Sequence, residues 1–185
     1  TADTPGPLRS ALRHARHEAK EIAGIANPFV VVGRRLNAQH PVPAWLASLS
    51  ARPVPYMTGF RMSFRRSAIA AGFDETLSRY AWFEDIDASF AAMRQGLVVS
   101  AEMAEIYHHR AAAARDNGYR MGLWAMLNRA YVVTKHVHAN PSVFPHPTRE
   151  ALRLRAYCTA RTLVYAVSGR GSFARARARG ARAGL

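Results

Sequence analysis

The segment that most constrains the fold reads WFEDIDASFAAMRQG, residues 82–96. Its apolar residues Ile86, Phe90 and Met93 recur at the spacing of one helix face, and Gly96 suits the position just after a helix end. The segment therefore predicts a helix from Glu84 to Gln95. The carboxylates in its first turn are favourable there because unpaired backbone N–H groups and the macrodipole make a helix N-terminus positive.

The acidic residues of this segment stand out because the rest of the chain is basic. Five of the 12 acidic residues lie between Asp74 and Asp87, although the formal net charge is +14. Either basic neighbours neutralise the cluster, or it serves a chemical purpose such as proton abstraction or cation binding. The structural alternative pairs these carboxylates with Arg65, Arg66 or Arg79.

Length and composition exclude several classes of protein. A chain of 185 residues, 49% of them hydrophobic, can bury a substantial core and is expected to form one domain or a large piece of a bigger one. The single cysteine, Cys158, excludes an internal disulfide and a Cys-rich metal site, so a cytoplasmic location is the default expectation. No apolar run reaches the roughly 18 residues of a membrane span. Residues 1–7 lack the features of a signal peptide and read as a cut in a longer chain.

The remaining pattern predicts helices that alternate with short strands. We expect four regions: a helical lead-in (1–28), a catalytic half-domain (29–114), a helical region (115–168) and an unstructured basic tail (169–185). The predicted strands are Phe29–Gly33, Val54–Phe60, Leu97–Ser100 and Ala104–Tyr107. The predicted helices are Leu8–Ile25, a turn at Ala44–Leu49, a short helix that stops at Gly72, Glu84–Gln95, Arg115–His136 and Arg149–Val167.

The positive charge belongs mainly to the C-terminal third. From Asn117 to Leu185 there are twelve basic residues and one acid, Glu150, which gives a net charge of +11. Such a field attracts phosphate groups, whether they belong to nucleic acid, an anionic membrane surface or a phosphorylated substrate. The charge alone does not choose among them.

The order of the motifs is more informative than any one of them. The chain carries TGFRMSFRRSAIAAGFDETLSRYAWFEDIDASFAAMRQG (58–96), then EIYHHR (105–110), then LWAMLNRAYVVTKH (123–136). This order, from Tyr56 to His136, resembles the C-terminal half of a family-2 inverting glycosyltransferase of the GT-A fold. The resemblance implies an α/β fold: an incomplete GT-A domain, similar to nucleotide-diphospho-sugar transferases, comprising the acceptor-side half with short mixed β-strands, followed by C-terminal helices.

The resemblance also implies roles for the acid cluster. In the family, the Asp of the Glu-Asp pair is the general base, which corresponds to Asp85, and Glu84 would support the acceptor. Trp82 would form an apolar wall for an acceptor sugar ring and would raise the pKa of Asp85 by partly desolvating it. Asp87 is interpreted as a structural member of the helix. Asp85-Ile86-Asp87 is not the family's metal-binding Asp-x-Asp, because that motif follows a strand in the nucleotide-binding half.

Further site residues follow from the same resemblance. Gly59 would let the backbone approach the substrate, Arg65 and Arg66 would meet a diphosphate, and Asp74 is a candidate substrate contact that more often organises a turn. Many relatives have Asn where this chain has Arg61. His108, ahead of its neighbour His109, is the candidate ligand for a divalent metal (Mn²⁺ or Mg²⁺) whose other ligands lie outside this chain. In the structural alternative, one of the two histidine rings is buried and hydrogen-bonded in the core, and the other is exposed.

The implied function is inverting transfer of a sugar from a nucleotide-sugar donor to a saccharide or lipid-linked acceptor. The type would be a hexosyl- or rhamnosyltransferase of bacterial cell-envelope polysaccharide biosynthesis. It would be cytoplasmic, with peripheral contact at the anionic inner face of the plasma membrane. The family's nucleotide-binding half has no counterpart here, so the chain alone is expected to be inactive. The alternatives are a basic nucleic-acid-binding module, which is less expected, and a non-enzymatic membrane-surface protein that uses the helix at 115–136 and the Arg-rich tail.

Overall fold

A computed structural model describes residues 27–77, 82–101, 103–104, 117–168 and 171–185. The described chain is mostly helical, with one small antiparallel sheet. The helices and strands are α1 (Pro28–Asn37), β1 (Ala51–Pro53), α2 (Glu84–Ala92), β2 (Val99–Ala101), α3 (Gly118–Ala139), α4 (Pro147–Ser168) and α5 (Ser172–Ala183). Single 3₁₀ turns occupy Ala44–Leu49, Gly59–Arg61, Arg66–Ile69 and Glu75–Leu77. The expected α/β class holds only in this loose sense, and the described residues give no evidence for a GT-A domain.

Most of the predicted helices are confirmed. The helix at Glu84, the long helix that ends near His136 and the helix that ends near Val167 correspond to α2, α3 and α4. Gly72 takes the left-handed conformation, with φ +75°, three residues after the end of the 3₁₀ turn at Arg66–Ile69. Among the described residues, no helix is both long enough and apolar enough to cross a membrane. The predicted helix at Leu8–Ile25 lies outside the described residues.

The prediction of a strand at Phe29–Gly33 is wrong, because these residues form the body of α1. The Asn27 side chain accepts a hydrogen bond from the Phe29 N–H at 3.2 Å, and Pro28 occupies the first helical position, so this dipeptide begins a helix here. Phe29, Val32 and Leu36 then share one buried face. The β-branched run Val30–Val32 has some strand preference, which capping and burial of this face override.

The sheet is smaller than predicted. Ala51 pairs with Ala101 and Pro53 with Val99, so β1 ends before the predicted Val54–Phe60 strand, whose last two residues belong to a 3₁₀ turn. The buried side chain of Asn37 takes over where the ladder stops. Its amide donates to the Val54 and Val98 carbonyls, both at 2.8 Å, and its oxygen accepts from the Val98 N–H at 2.9 Å.

The prediction that the tail is unstructured is wrong for Ser172–Ala183, which forms α5. Glycines let α5 pack closely on α3. A Cβ on Gly122 would lie 2.0 Å from the Arg177 carbonyl oxygen, and one on Gly180 would lie 1.8 Å from the Tyr119 carbonyl oxygen. Because real Cβ atoms never approach backbone so closely, the two helices can meet only where both lack side chains. Local composition suggested disorder, but this close contact supplies the order.

We expect Gly180→Ala to lower the free energy of unfolding by about 1 to 3 kcal/mol, the usual cost of overpacking, since backbone must move to admit the methyl group. Gly96→Ala is the matched control, because a Cβ there would meet nothing within 4 Å. Urea denaturation followed by far-ultraviolet circular dichroism measures both. Equal stability of the two variants would contradict the close α3–α5 contact.

Candidate functional site

The acid pair Glu84 and Asp85 follows a residue in an unfavourable backbone conformation. Phe83, the N-cap of α2, has φ +79° and ψ +16°, which is left-handed and uncommon for a bulky residue. Its ring is held by edge-to-face packing against Phe29, with centroids 4.7 Å apart, and against Trp82 at 5.6 Å. Such strain costs about 1 to 3 kcal/mol and persists only where packing enforces it, often at functional sites.

The carboxylate of Asp85 is fixed by backbone donors. Its Oδ2 accepts from the Gly59 N–H and its Oδ1 from the Ile86 N–H, both at 2.9 Å. Ser89 locks the same region, since its hydroxyl donates to the Asp85 carbonyl at 2.7 Å and accepts from the Met57 N–H at 3.0 Å. Thus the segment Met57–Gly59 is joined to the first turns of α2, and each carboxylate oxygen keeps a lone pair for another donor.

The backbone N–H of Gly59 donates a hydrogen bond to Asp85, and a side chain at this position would not clash with its neighbours. A Cβ at this position would lie 3.7 Å from the Asp85 Cβ and 3.9 Å from the Glu84 carboxylate, which are ordinary contact distances. The approach of the Gly59 backbone to a substrate stays a prediction, and in the structure its N–H donates to the candidate base Asp85.

Burial raises the pKa of both acids of the pair. For Asp85, burial outweighs the hydrogen bonds from Gly59 and Ile86, which act in the opposite direction. For Glu84, burial is again the main cause, and repulsion from Asp85 adds to it. The direction for Asp85 agrees with the sequence prediction, and the cause is burial in general rather than a described contact with Trp82.

Asp74 and Asp87, two other acids of the cluster, share Lys135 as a cationic partner. Asp87 is almost fully buried and accepts from His136 Nε2 at 2.8 Å and from Lys135 Nζ at 2.9 Å. Lys135 also donates to Asp74 at 2.6 Å, and the Tyr131 hydroxyl donates to the same oxygen at 2.7 Å. These contacts give both acids structural positions between α2, α3 and the turn at Glu75, so they do not support the predicted substrate contact of Asp74.

The pKa values of these two acids are lowered, in contrast to the pair. For Asp87, burial acts to raise the pKa, but the hydrogen bonds and charges of His136 and Lys135 together outweigh it. For Asp74, the hydrogen bond from Lys135 is the largest cause, and the pKa lies well below its usual range. The pKa of His136, which has no exposed surface, is lowered chiefly by burial.

Sequence reasoning missed Arg129, which packs against Phe83, the residue before the acid pair. Arg129 is 7% exposed, and its guanidinium lies over the rings of Phe83 at 4.8 Å, Phe29 at 5.0 Å and Tyr157 at 5.1 Å. One nitrogen donates to the Ala125 carbonyl at 3.1 Å. Burial lowers its pKa. A basic residue in an apolar helix was the only signal in the sequence, and it did not indicate aromatic partners on other elements.

Trp82 lies at the edge of the same aromatic group. The Asn128 side chain donates to its carbonyl at 3.1 Å, and the Arg177 guanidinium lies 5.6 Å from its ring. The indole is partly exposed, so one part of it remains accessible beside the acid pair. This position is compatible with the predicted sugar-packing wall.

The predicted basic partners do not neutralise the acid pair. Arg65 and Arg66 are exposed, and among the described residues no ion pair joins them to Glu84 or Asp85. Arg65 lines a separate cleft near the end of α2. Arg79 lies outside the described residues, and so do His108 and His109.

The described residues by themselves do not fit a divalent metal. Nowhere in the described part of the chain do three His, Cys, Asp or Glu side chains come together as a ligand set. The carboxylates Glu84 and Asp85 are neighbours on one turn, and the predicted metal ligand His108 lies outside the described residues.

Comparison with protein-family models, with curated proteins and with solved structures finds no match for this chain.

We expect Lys135→Met to lower the free energy of unfolding at pH 7 by about 3 kcal/mol, because it leaves the buried Asp87 carboxylate with one fewer cationic partner. Arg155→Met, which removes the same charge from an exposed site on α4, is the control and should change it by less than about 0.5 kcal/mol.

The pH dependence has a definite sign. Because the pKa values of Asp74 and Asp87 are lowered in the folded state, their stabilisation is present above the unfolded pKa of about 3.9 and is lost as the pH falls through the folded values. Urea titrations between pH 7 and pH 3 should therefore show a smaller loss of stability in Lys135→Met than in the parent. Parallel curves would contradict the assignment of Lys135 as the bridging cation.

Proposed function

We propose that this chain is the acceptor-side part of an inverting glycosyltransferase, with Asp85 as general base. The donor would be a nucleotide sugar and the acceptor a saccharide or lipid-linked saccharide. The observation that carries the proposal is the contrast within the acid cluster. Lys135 forms ion pairs with Asp74 and Asp87, and His136 hydrogen-bonds Asp87, whereas Asp85 is half-buried, has a raised pKa and, among the described residues, accepts hydrogen bonds from backbone N–H groups alone.

A carboxylate in this state suits proton abstraction. As the acceptor hydroxyl attacks the anomeric carbon, its proton passes to Asp85, the new C–O bond forms, and the bond from that carbon to the nucleotide diphosphate breaks with its electron pair. A raised pKa brings the base closer to the pH at which it works, which strengthens proton transfer in the transition state. Backbone donors to both oxygens fix the orientation of the carboxylate, and Trp82 offers a partly exposed ring for the acceptor sugar.

In this proposal, the chain binds the acceptor and carries the base, and a nucleotide-binding half binds the donor. Glu84 would orient the acceptor, since its carboxylate is next to that of Asp85 and close to Gly59. The resemblance in motif order supports the family assignment, and the hexosyl or rhamnosyl type remains part of the proposal.

We expect Asp85→Asn, in the protein together with its nucleotide-binding half, to lower the rate of sugar transfer by at least about 100-fold, because the amide cannot take the acceptor proton. Nucleotide-sugar binding, measured by calorimetry, should be unchanged. Glu75→Gln removes an exposed acid of the same cluster and is the matched control. In the parent, kcat/KM should fall as the pH drops through a pKa above the usual aspartate value of about 3.9. Retained turnover in Asp85→Asn would remove Asp85 as the base.

A specific surface also favours contact with an anionic membrane. On α4, Leu152, Leu163 and Val167 lie on one side at helical spacing and are 64%, 60% and 88% exposed. Arg149 and Arg155 are exposed on the same helix. Apolar residues beside arginines on an exposed helix are typical of segments that lie in a lipid headgroup layer.

No exposed acid offsets the positive charge in the described part of the C-terminal third. Glu150, the single acid of the C-terminal third, is buried and paired with Arg35 at 2.9 Å and Arg153 at 3.0 Å. The sequence assigned membrane contact to the helix at 115–136, but α3 packs against α1, α2, α4 and α5. We therefore propose that α4, with the exposed arginines of α5, faces the membrane.

We expect the protein to sediment with phosphatidylglycerol vesicles and to be released as salt rises, since charge attraction to the surface is screened. Leu163→Ser with Val167→Ser should weaken this partition about tenfold or more, because exposed apolar side chains no longer enter the headgroup layer. Leu49→Ser, at an exposed leucine far along the chain, is the control. Equal partition of the double variant and the parent would refute a membrane role for α4. Salt-sensitive binding to RNA without vesicle binding would favour the nucleic-acid alternative.

A further inference from the structure

A cleft of about 600 Å³ opens beside the C-terminal end of α2, away from the acid pair. Its floor is apolar and includes the buried residues Leu46, Ala92 and Val98. Its polar lining comes from separate parts of the chain: His40, Ser63, Arg65, Ser67 and Gln95. An apolar floor with a few convergent polar groups is the usual composition of a small-molecule site.

The indole of Trp45 borders this cleft and is 61% exposed. Trp45 belongs to the 3₁₀ turn Ala44–Leu49, which begins after Pro43, and the Ser48 hydroxyl donates to its carbonyl at 2.7 Å. A large aromatic ring on a fixed turn at the mouth of a polar cleft suits stacking against the apolar face of a sugar ring.

The charge of the lining is positive. Among the described residues, none that lines this cleft is a carboxylate and none forms an ion pair with Arg65. A guanidinium presents paired N–H donors that match a carboxylate or a phosphate. Hydroxyls of Ser63 and Ser67 and the Gln95 amide add neutral hydrogen-bonding groups of the kind that recognise sugar hydroxyls.

Two elements connect this cleft with the acid pair. The segment 57–65 has Gly59 bonded to Asp85, while Met57 and Arg65 line the cleft. Helix α2 carries Asp85 in its first turn and Ala92 at the cleft, a separation of about 10 Å along the helix axis. An oligosaccharide that presents one hydroxyl to Asp85 can span this separation.

We propose that the cleft binds a sugar unit carrying an anionic substituent, a carboxylate or a phosphate, as the distal part of the acceptor. Trp45 stacks on the ring and Arg65 pairs with the anion. This assignment rests on the proposed function only in naming the bound sugar as part of the acceptor. The sequence predicted that Arg65 contacts the donor diphosphate, whereas in this proposal Arg65 binds an anionic group of the acceptor.

Calorimetric titration of the full chain with four probes tests the proposal: glucuronic acid, glucose 6-phosphate, glucose and inorganic phosphate. The two anionic sugars should bind at least about tenfold more tightly than either glucose or phosphate, because only they engage both the ring and the cation. The preference between carboxylate and phosphate identifies the substituent. Phosphate binding as tight as that of glucose 6-phosphate would overturn the sugar part, and equal binding of glucose and both anionic sugars would overturn the anion part.

Variants locate the binding. Arg65→Gln should reduce the affinity for anionic sugars to that for glucose, and Trp45→Ala should weaken all sugars about tenfold. Arg94→Gln and Leu49→Ala are the matched controls, since both residues are exposed and neither lines the cleft. Anionic-sugar binding that Arg65→Gln leaves unchanged would overturn the proposal.

Asp85→Asn separates this proposal from the proposed function, because it should bind the probes as the parent does. Probe binding that depends on Arg65, in a protein whose sugar transfer does not need Asp85, would uphold the cleft and reject the general base. Transfer that depends on Asp85, without binding of any anionic sugar, would reject the cleft and keep the base.

Discussion

The cage of aromatic rings around Arg129 is the interaction on which the arrangement of this fold depends. Its guanidinium, carried by α3, touches Phe29 of α1, Phe83 before α2 and Tyr157 of α4. Burying a cation is costly, and here ring faces and one carbonyl replace water. Four parts of the chain are therefore held at one point, and the left-handed Phe83 is kept in place there.

The packing around Arg129 also affects the acid pair, because it includes Phe83, the residue before Glu84. With Phe83 left-handed, α2 begins at Glu84, and the Asp85 carboxylate meets the Gly59 and Ile86 N–H groups. On the next turn of the same helix, Ser89 ties α2 to Met57. The left-handed backbone of Phe83 and the raised pKa of Asp85 thus occur two residues apart, at the start of the same helix.

Some of the charged residues of this protein are buried in ion pairs, and others are exposed. Lys135, near the C-terminal end of α3, bridges the carboxylates of Asp74 and Asp87, and Arg35 and Arg153 both pair with Glu150. The acids of these ion pairs therefore hold structural positions. Glu75, Glu84 and Asp85 keep accessible surface, and α4 carries arginines with exposed leucine and valine. Within its described residues, this strongly basic chain thus has acids that no ion pair joins to a cation.

Sequence reasoning worked where the local signal and the packing agreed. The apolar stripe of α2, the long helices α3 and α4, the glycine after the turn at Arg66 and the structural role of Asp87 were all predictable from spacing and residue type. It failed at Phe29–Gly33, where strand-forming residues lie in a helix because Asn27 caps it and the α1 face is buried. It also failed at Ser172–Ala183, where no local pattern reveals that Gly180 meets Gly122 across two helices.

The sequence by itself therefore determined the helices α2, α3 and α4, the excess of positive charge and the identity of the acid pair, because periodicity, charge and motif order are local properties of the chain. Only the tertiary structure decided which acids form ion pairs and which helix face is exposed. It also decided that Arg65 lines the cleft near the C-terminal end of α2 and forms no described ion pair with Asp85. These depend on contacts between residues such as Asp74 and Lys135, 61 positions apart. No local pattern encodes such a contact, since it exists only after the core has brought the helices together.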